Sequence, residues 1–146
     1  MSRVSDILAA KGGDVFGVAP GATVQEALEQ MVEHNVGSLV VMEEEEIIGI
    51  FTERDFLRRV ALNGMPPAST QVRDVMTERL IVVEPDKSVE ECMAIMTQAR
   101  IRHLPVMDRT RLAGVVSIGD LVKHLSDEQE VHIRYLTDYI VGRYPG

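Results

Sequence analysis

The chain has 146 residues, unexceptional apolar and charged fractions, and a formal net charge of -8. That charge argues against a nucleic-acid surface, which needs clustered Lys and Arg, and it requires a locally positive patch to draw in any anionic ligand. No apolar run approaches the roughly 20 residues of a membrane span, the start Met-Ser-Arg-Val-Ser-Asp lacks a signal-peptide core, and the single cysteine, Cys92, excludes an internal disulfide and suits a reducing, cytoplasmic setting.

In chain order the elements come twice. Each copy opens with Val-x-Asp-(Ile/Val)-(Leu/Met), at Val4–Leu8 and Val72–Met76. Short apolar runs follow, Asp14–Val18 and Leu80–Val83, closed by Pro20 and Pro85, and these read as brief strands. Thr23-Val24-Gln25-Glu26 and Ser88-Val89-Glu90-Glu91 fit the capping box, in which hydroxyl and carboxylate satisfy the first helical amides reciprocally. Val24, Leu28, Met31 and Val32, like Val89, Cys92, Met93 and Met96, then recur at helical spacing. Cys92 in that stripe reads as a small core residue.

Two β-rich runs begin at Ser38 and His103, each followed by a polar connector and a second run ending at Thr52 or Ser117; this predicts two hairpins. Glu43 to Glu46 fall at the first hairpin tip and read as a solvated turn. A second helix starts within Glu53 to Val60 and within Ile118 to Leu125, and Asn63 to Thr70 is the turn-rich link between copies. From Pro20 to Asp120 the copies keep a constant displacement of 65 positions: Val24 answers Val89, Leu39 answers Leu104, Gly49 answers Gly114.

The predicted fold is therefore α+β: two β-α-β-β-α units with small mixed sheets, packed pseudo-symmetrically, over residues 1–66 and 67–126. Each is too small to be comfortably stable alone, so they are expected to share one core. Residues 127–146, with Val131, Tyr135 and Ile140 apolar among charges, are expected to form a helical tail for packing or dimer contact.

Thr52-x-x-Asp55 and Ser117-x-x-Asp120 stand at the two strand-to-helix junctions. Each also fits a plain helix cap, with the acid favouring the positive end. Gly49 and Gly114, three residues earlier inside a strand, point instead to close backbone approach. The helix start suits a phosphate, and an aspartate there can accept from both hydroxyls of a ribose.

These tandem copies, the Gly-hydrophobic-x-Thr/Ser-x-x-Asp endings and the strand Arg102-His103-Leu104-Pro105-Val106 resemble a cystathionine β-synthase (CBS) domain pair, or Bateman module, of the stand-alone bacterial type, over about residues 4 to 125. The resemblance implies an adenosine-type regulatory ligand in clefts between the copies: AMP foremost, with ADP, ATP, NAD(H) or S-adenosylmethionine as further candidates. It also implies a homodimer, an energy- or metabolite-sensing role toward a protein partner, and no catalysis. Site one would take Thr52, Glu53, Arg54 and Asp55, facing Ile81, whose backbone would meet adenine, with Arg102 and His103 near the phosphate. Site two would take Ser117, Ile118, Gly119 and Asp120, facing Phe16, Gly37 and Ser38.

Site one carries Arg54, Arg102 and the titratable His103, whereas the matching positions of site two, Gly119, Gly37 and Ser38, carry no cation. A phosphate should prefer site one, since guanidinium binds its oxygens bidentately. Two other classes compete. A ligand-free interaction or stress scaffold would use the same fold but has no need of both acids. An enzyme built on Ser117, His103 and Asp120 lacks a Gly-x-Ser-x-Gly elbow, and the four histidines form no metal-ligand cluster.

Overall fold

The computed structural model describes residues 2–12 and 14–127, so the expected tail lies outside the described residues apart from residue 127. Helix α1, Val4–Lys11, leads to strand β1, Gly17–Val18, helix α2, Val24–His34, and the strands β2, Ser38–Glu43, and β3, Glu46–Thr52. Helix α3, Glu53–Asp55, runs on as a π-helical turn over Phe56–Ala61. After a 3-10 turn at Val72–Asp74, the second half gives α4, Val89–Ala99, β4, His103–Asp108, β5, Arg111–Ser117, and α5, Ile118–Asp127. Among the described residues no helix is long and apolar enough to cross a membrane.

Local chemistry accounts for most of these boundaries. The Thr23 hydroxyl accepts from the Glu26 amide at 3.1 Å while the Glu26 carboxylate accepts from the Thr23 amide at 3.4 Å, so the capping box closes. At Ser88 the hydroxyl accepts from the Glu91 amide, but its own proton goes to Glu91 Oε1 at 3.0 Å; the return bond from the backbone is replaced by one from the hydroxyl. Glu44 and Glu45 lie at φ 52° and 68°, the paired left-handed residues that a two-residue turn of the favoured twist demands. The acidic run is a hairpin tip, as expected.

The hairpins are equivalent to the residue. Ser38 pairs with Thr52 and His103 with Ser117, and both registers slip at one place, between Val41 and Met42 and between Val106 and Met107. The third strand is where the halves part. Gly17 and Val18 pair parallel with Val40 and Val41, giving a three-stranded sheet, whereas Leu80–Val83 makes only a single bridge, Val83 with Val106. The expected second short strand is absent for a chemical reason. In the first half the Val40 amide donates to the Phe16 carbonyl at 3.2 Å; the matching donor in the second half would be residue 105, a proline with no N–H.

The expected single shared core is also corrected: there are two. One gathers Val24, Ala27, Met31, Leu39, Val41 and Phe51 with Val72, Val75 and Met76. The other gathers Val89, Cys92, Met96, Leu104, Val106 and Val116 with Val4 and Ile7. Each core thus takes in the opening segment of the other copy. Gly49 and Gly114 mark the crossing points. A Cβ on Gly49 would stand 2.6 Å from Met76 Sδ and 3.0 Å from the Thr77 carbonyl, and one on Gly114 would stand 2.7 Å from Leu8 Cδ2. Close approach at these glycines is real, but the exchanged segment makes it.

Candidate functional site

A cavity of about 440 Å³ opens on the seam between the halves. Its wall includes Thr52, Glu53, Arg54 and Asp55 from the first junction and Ile81, Arg102 and His103 from the second half. All seven residues expected at site one therefore share one concavity, of a size that suits a small ligand. Leu57, Arg58, Thr77, Arg79 and Pro105 also line it. Four arginines face two acids in that lining, which supplies the local positive patch that a net charge of -8 makes necessary.

Asp55 is the anchor of the first junction and is buried, at 6% exposure. Its Oδ2 accepts from the Thr52 amide at 3.0 Å and the Thr52 hydroxyl at 3.2 Å, while Oδ1 accepts from the Thr77 hydroxyl at 2.9 Å with Arg59 Nε 3.8 Å away. The helix cap is thus made, and the acid nevertheless lines the cavity. A carboxylate offers about four acceptor directions, of which three are filled, so a sugar diol can take both oxygens only if a hydroxyl turns aside. Arg54 crosses the seam: its guanidinium donates to the carbonyl of Arg100, which closes α4 in a left-handed conformation at φ 57°. Gly119, at the same position of the other junction, makes no such bond.

Ile81 meets the cavity with its backbone open. Among the described residues neither its amide nor its carbonyl takes a hydrogen bond, and the missing partner of the carbonyl is again the absent N–H of Pro105. His103 is held neutral near physiological pH: burial pushes its pKa below the ordinary value of 6.5, with Arg102 and Lys11 adding to the effect and Asp120 opposing it. It can serve a ligand as a neutral donor or acceptor there, not as the partial cation the sequence suggests.

The second junction is arranged differently. Asp120 Oδ2 accepts from the Ser117 amide at 2.8 Å, and the Ser117 hydroxyl accepts from the Asp120 amide at 3.1 Å. Lys11, at the end of α1, places its ammonium 2.8 Å from the same Oδ2 and 2.9 Å from the Val115 carbonyl. Gly119, Gly37 and Ser38 bring no cation to this junction, but the exchanged segment does. Burial raises the Asp120 pKa, but the Lys11 ammonium and the Ser117 bonds outweigh it, and the net shift is downward. Phe16 stacks on His34 with ring centroids 3.9 Å apart and planes within 9°. Gly37 abuts the first site: a Cβ there would lie 2.5 Å from Glu53 Oε1 and 3.3 Å from His103 Nε2. Ser38 pairs with Thr52, while Ile118 donates its amide to the Arg102 carbonyl at 2.8 Å.

Several residues of the cavity wall and of the second junction lie outside the repeated motif. Arg58 follows Arg54 by one helical turn, a spacing that was legible. Thr77, Arg79 and Lys11 belong to the opening segments, whose displacement is 68 rather than 65 positions, and nothing in the repeat says that they cross over.

A seam cavity between two tandem α+β units, with a hydroxyl–acid pair on each, defines the class. The CBS domain family's sequence profile matches the chain twice, over residues 4–62 and 72–127, and the chain belongs to that family, whose pairs are generally regulatory. It is similar to the CBS domain-containing protein CBSX3, mitochondrial, of Arabidopsis thaliana, at 40% identity, covering 98% of this chain and 74% of that protein. A solved structure of a putative signal-transduction protein with CBS domains from Burkholderia ambifaria superposes with a TM-score of 0.85 at 41% identity, over 88% of this chain and 96% of that one. The CBS domain pair of protein MJ0100, solved with 5′-methylthioadenosine and S-adenosyl-L-methionine, superposes with a TM-score of 0.77 over 88% of this chain and 99% of that one; at 23% identity that likeness speaks to the fold.

Proposed function

We propose that the chain is an adenine-nucleotide-binding regulatory module that takes its ligand in the cavity between Asp55 and Arg102 and reports the ligand's presence to a protein partner. One observation carries this reading: a single cavity gathers all seven site-one residues from both halves. The open carbonyl of Ile81 suits the amino group of adenine, and Asp55 with Thr52 suits the ribose. Arg54, Arg58, Arg79 and Arg102 suit the phosphate, for which AMP is the first candidate and ADP, ATP or NAD(H) the next. Each hydrogen bond to the carboxylate is worth about 1.5–3 kcal/mol, a useful share of a micromolar affinity near -8 kcal/mol. The role in this reading is regulatory, as it generally is for CBS domain pairs.

A homodimer belongs to the same reading. Leu57 and Val122, matching positions of the two copies, are both exposed, as is Leu62, and they offer apolar surface for a second copy. The free, buried Cys92 fits a reducing compartment such as the cytoplasm. Thermal shifts with AMP, ADP, ATP, NAD, NADH and S-adenosylmethionine test the central claim. A ligand at 100 times its dissociation constant should stabilise the fold by about 2.7 kcal/mol, and silence toward every one of them would leave a scaffold on this fold.

A further inference from the structure

The exchange of opening segments does different things to the two acids. In the first half Thr77 serves the junction twice: its amide donates to the Ile50 carbonyl at 2.8 Å, and its hydroxyl to Asp55 at 2.9 Å. In the second half the matching residue is Ala9, which has no hydroxyl. There the Lys11 ammonium makes both contacts at once, to the Val115 carbonyl and to Asp120; Val115 is the counterpart of Ile50. The counterpart of Lys11 is Arg79, which lines the first cavity and makes no bond to Asp55.

We infer that Lys11 is the residue that decides which of the two junctions can take a nucleoside: its ammonium, 2.8 Å from Asp120, holds that acid closed, while Asp55, held by the Thr52 amide and two rotatable hydroxyls with its nearest cation, Arg59, 3.8 Å away, stays open to a ligand sugar. This rests on the proposed adenine-nucleotide reading of the first cavity. A hydroxyl can rotate to another acceptor and leave its place to a ligand hydroxyl. The ammonium cannot do so without breaking an ion pair, a bond to a carboxylate in which the donor is charged as well as the acceptor. Both acceptor directions of Asp120 Oδ2 are filled, by Ser117 and by Lys11, so a diol cannot grip both carboxylate oxygens while Lys11 stays. The pair is half exposed, with side-chain exposures of 36% for Lys11 and 24% for Asp120, which leaves it reachable and breakable.

Calorimetric titration with AMP tests this in four proteins: wild type, Asp55→Asn, Lys11→Met and the double variant. Expected are one equivalent for wild type, none for Asp55→Asn, two for Lys11→Met, and one for the double variant, whose remaining site is at least about tenfold tighter than in Asp55→Asn. Lys11→Arg, which keeps the charge, should behave as wild type. If the double variant binds no more AMP than Asp55→Asn, the inference is wrong. It is equally wrong if Asp55→Asn already binds an equivalent that removing Lys11 weakens, since Lys11 would then be a ligand group. Failure of the first-cavity reading looks different: wild type binds nothing, whatever the double variant does.

Discussion

Thr52–Asp55 and Ser117–Asp120 begin from the same tetrapeptide pattern, end equivalent hairpins in the same register and start equivalent helices, yet they sit in different electrostatic surroundings. The first acid is buried beneath two hydroxyls and looks into an arginine-lined cavity. The second is half-buried and paired at 2.8 Å with the Lys11 ammonium, where the first has only Arg59 at 3.8 Å. The difference does not originate at the junctions. It comes from Lys11, 109 positions upstream of Asp120, and from Thr77, 22 positions downstream of Asp55, carried there by the exchanged opening segments. Two copies of one motif are thus set apart by what each borrows from the other.

The largest effects are expected where the borrowing is apolar. Ile7, 4% exposed in the second core, should cost about 2–5 kcal/mol on change to alanine. Hydrogen exchange should then quicken in β4 and β5 before β2 and β3; the counterpart Val75→Ala should do the reverse. Loosening of the wrong hairpin would refute the exchange. Next come the crossing-point glycines. Gly49→Ala pushes on a backbone carbonyl as well as on Met76, and urea unfolding should show a loss of about 1–3 kcal/mol. Gly114→Ala meets only the flexible end of Leu8 and should cost less; equal losses would mean that the two crossings are alike.

Ligand affinities sharpen the comparison further. Arg102→Gln should weaken AMP by about tenfold, the scale of one charge-assisted hydrogen bond, while leaving adenosine nearly unchanged. Parallel losses for both would move the phosphate away from Arg102. The smallest effect is expected from pH. His103 is harder to protonate in the folded chain than in the unfolded one, so the unfolded state binds the extra proton first. Stability should fall as pH drops below 6.5, and His103→Gln should flatten that slope in unfolding experiments between pH 5 and 7. Asp120 acts in a lower window: its depressed pKa contributes stability above the ordinary 3.8, which is lost as pH falls through the folded-state value.

Much of this was legible beforehand because the repeat reports on itself. The hairpins, the Thr23 cap and the seven residues of the first cavity follow from a displacement of 65 positions and a recognisable family pattern. Two kinds of information were not. A proline inside an apolar strand announces a missing donor, but only the paired register shows that Ile81 is the residue left without one. An opening segment with a displacement of 68 announces an insertion, but apolar residues such as Val4 and Val72 carry no mark of which core will bury them. Lys11, beside Gly12, likewise carries no mark in the sequence of the acid that it will reach.

The crossed opening segments also decide how mechanical force would travel. Anything attached ahead of Ser2, whether a fused domain or a bound partner, pulls first on the half encoded last, through α1 and the Lys11 tether. A load at the amino end is therefore felt at the distant junction, and the order of genes along such a fusion would be a poor guide to which lobe answers to it.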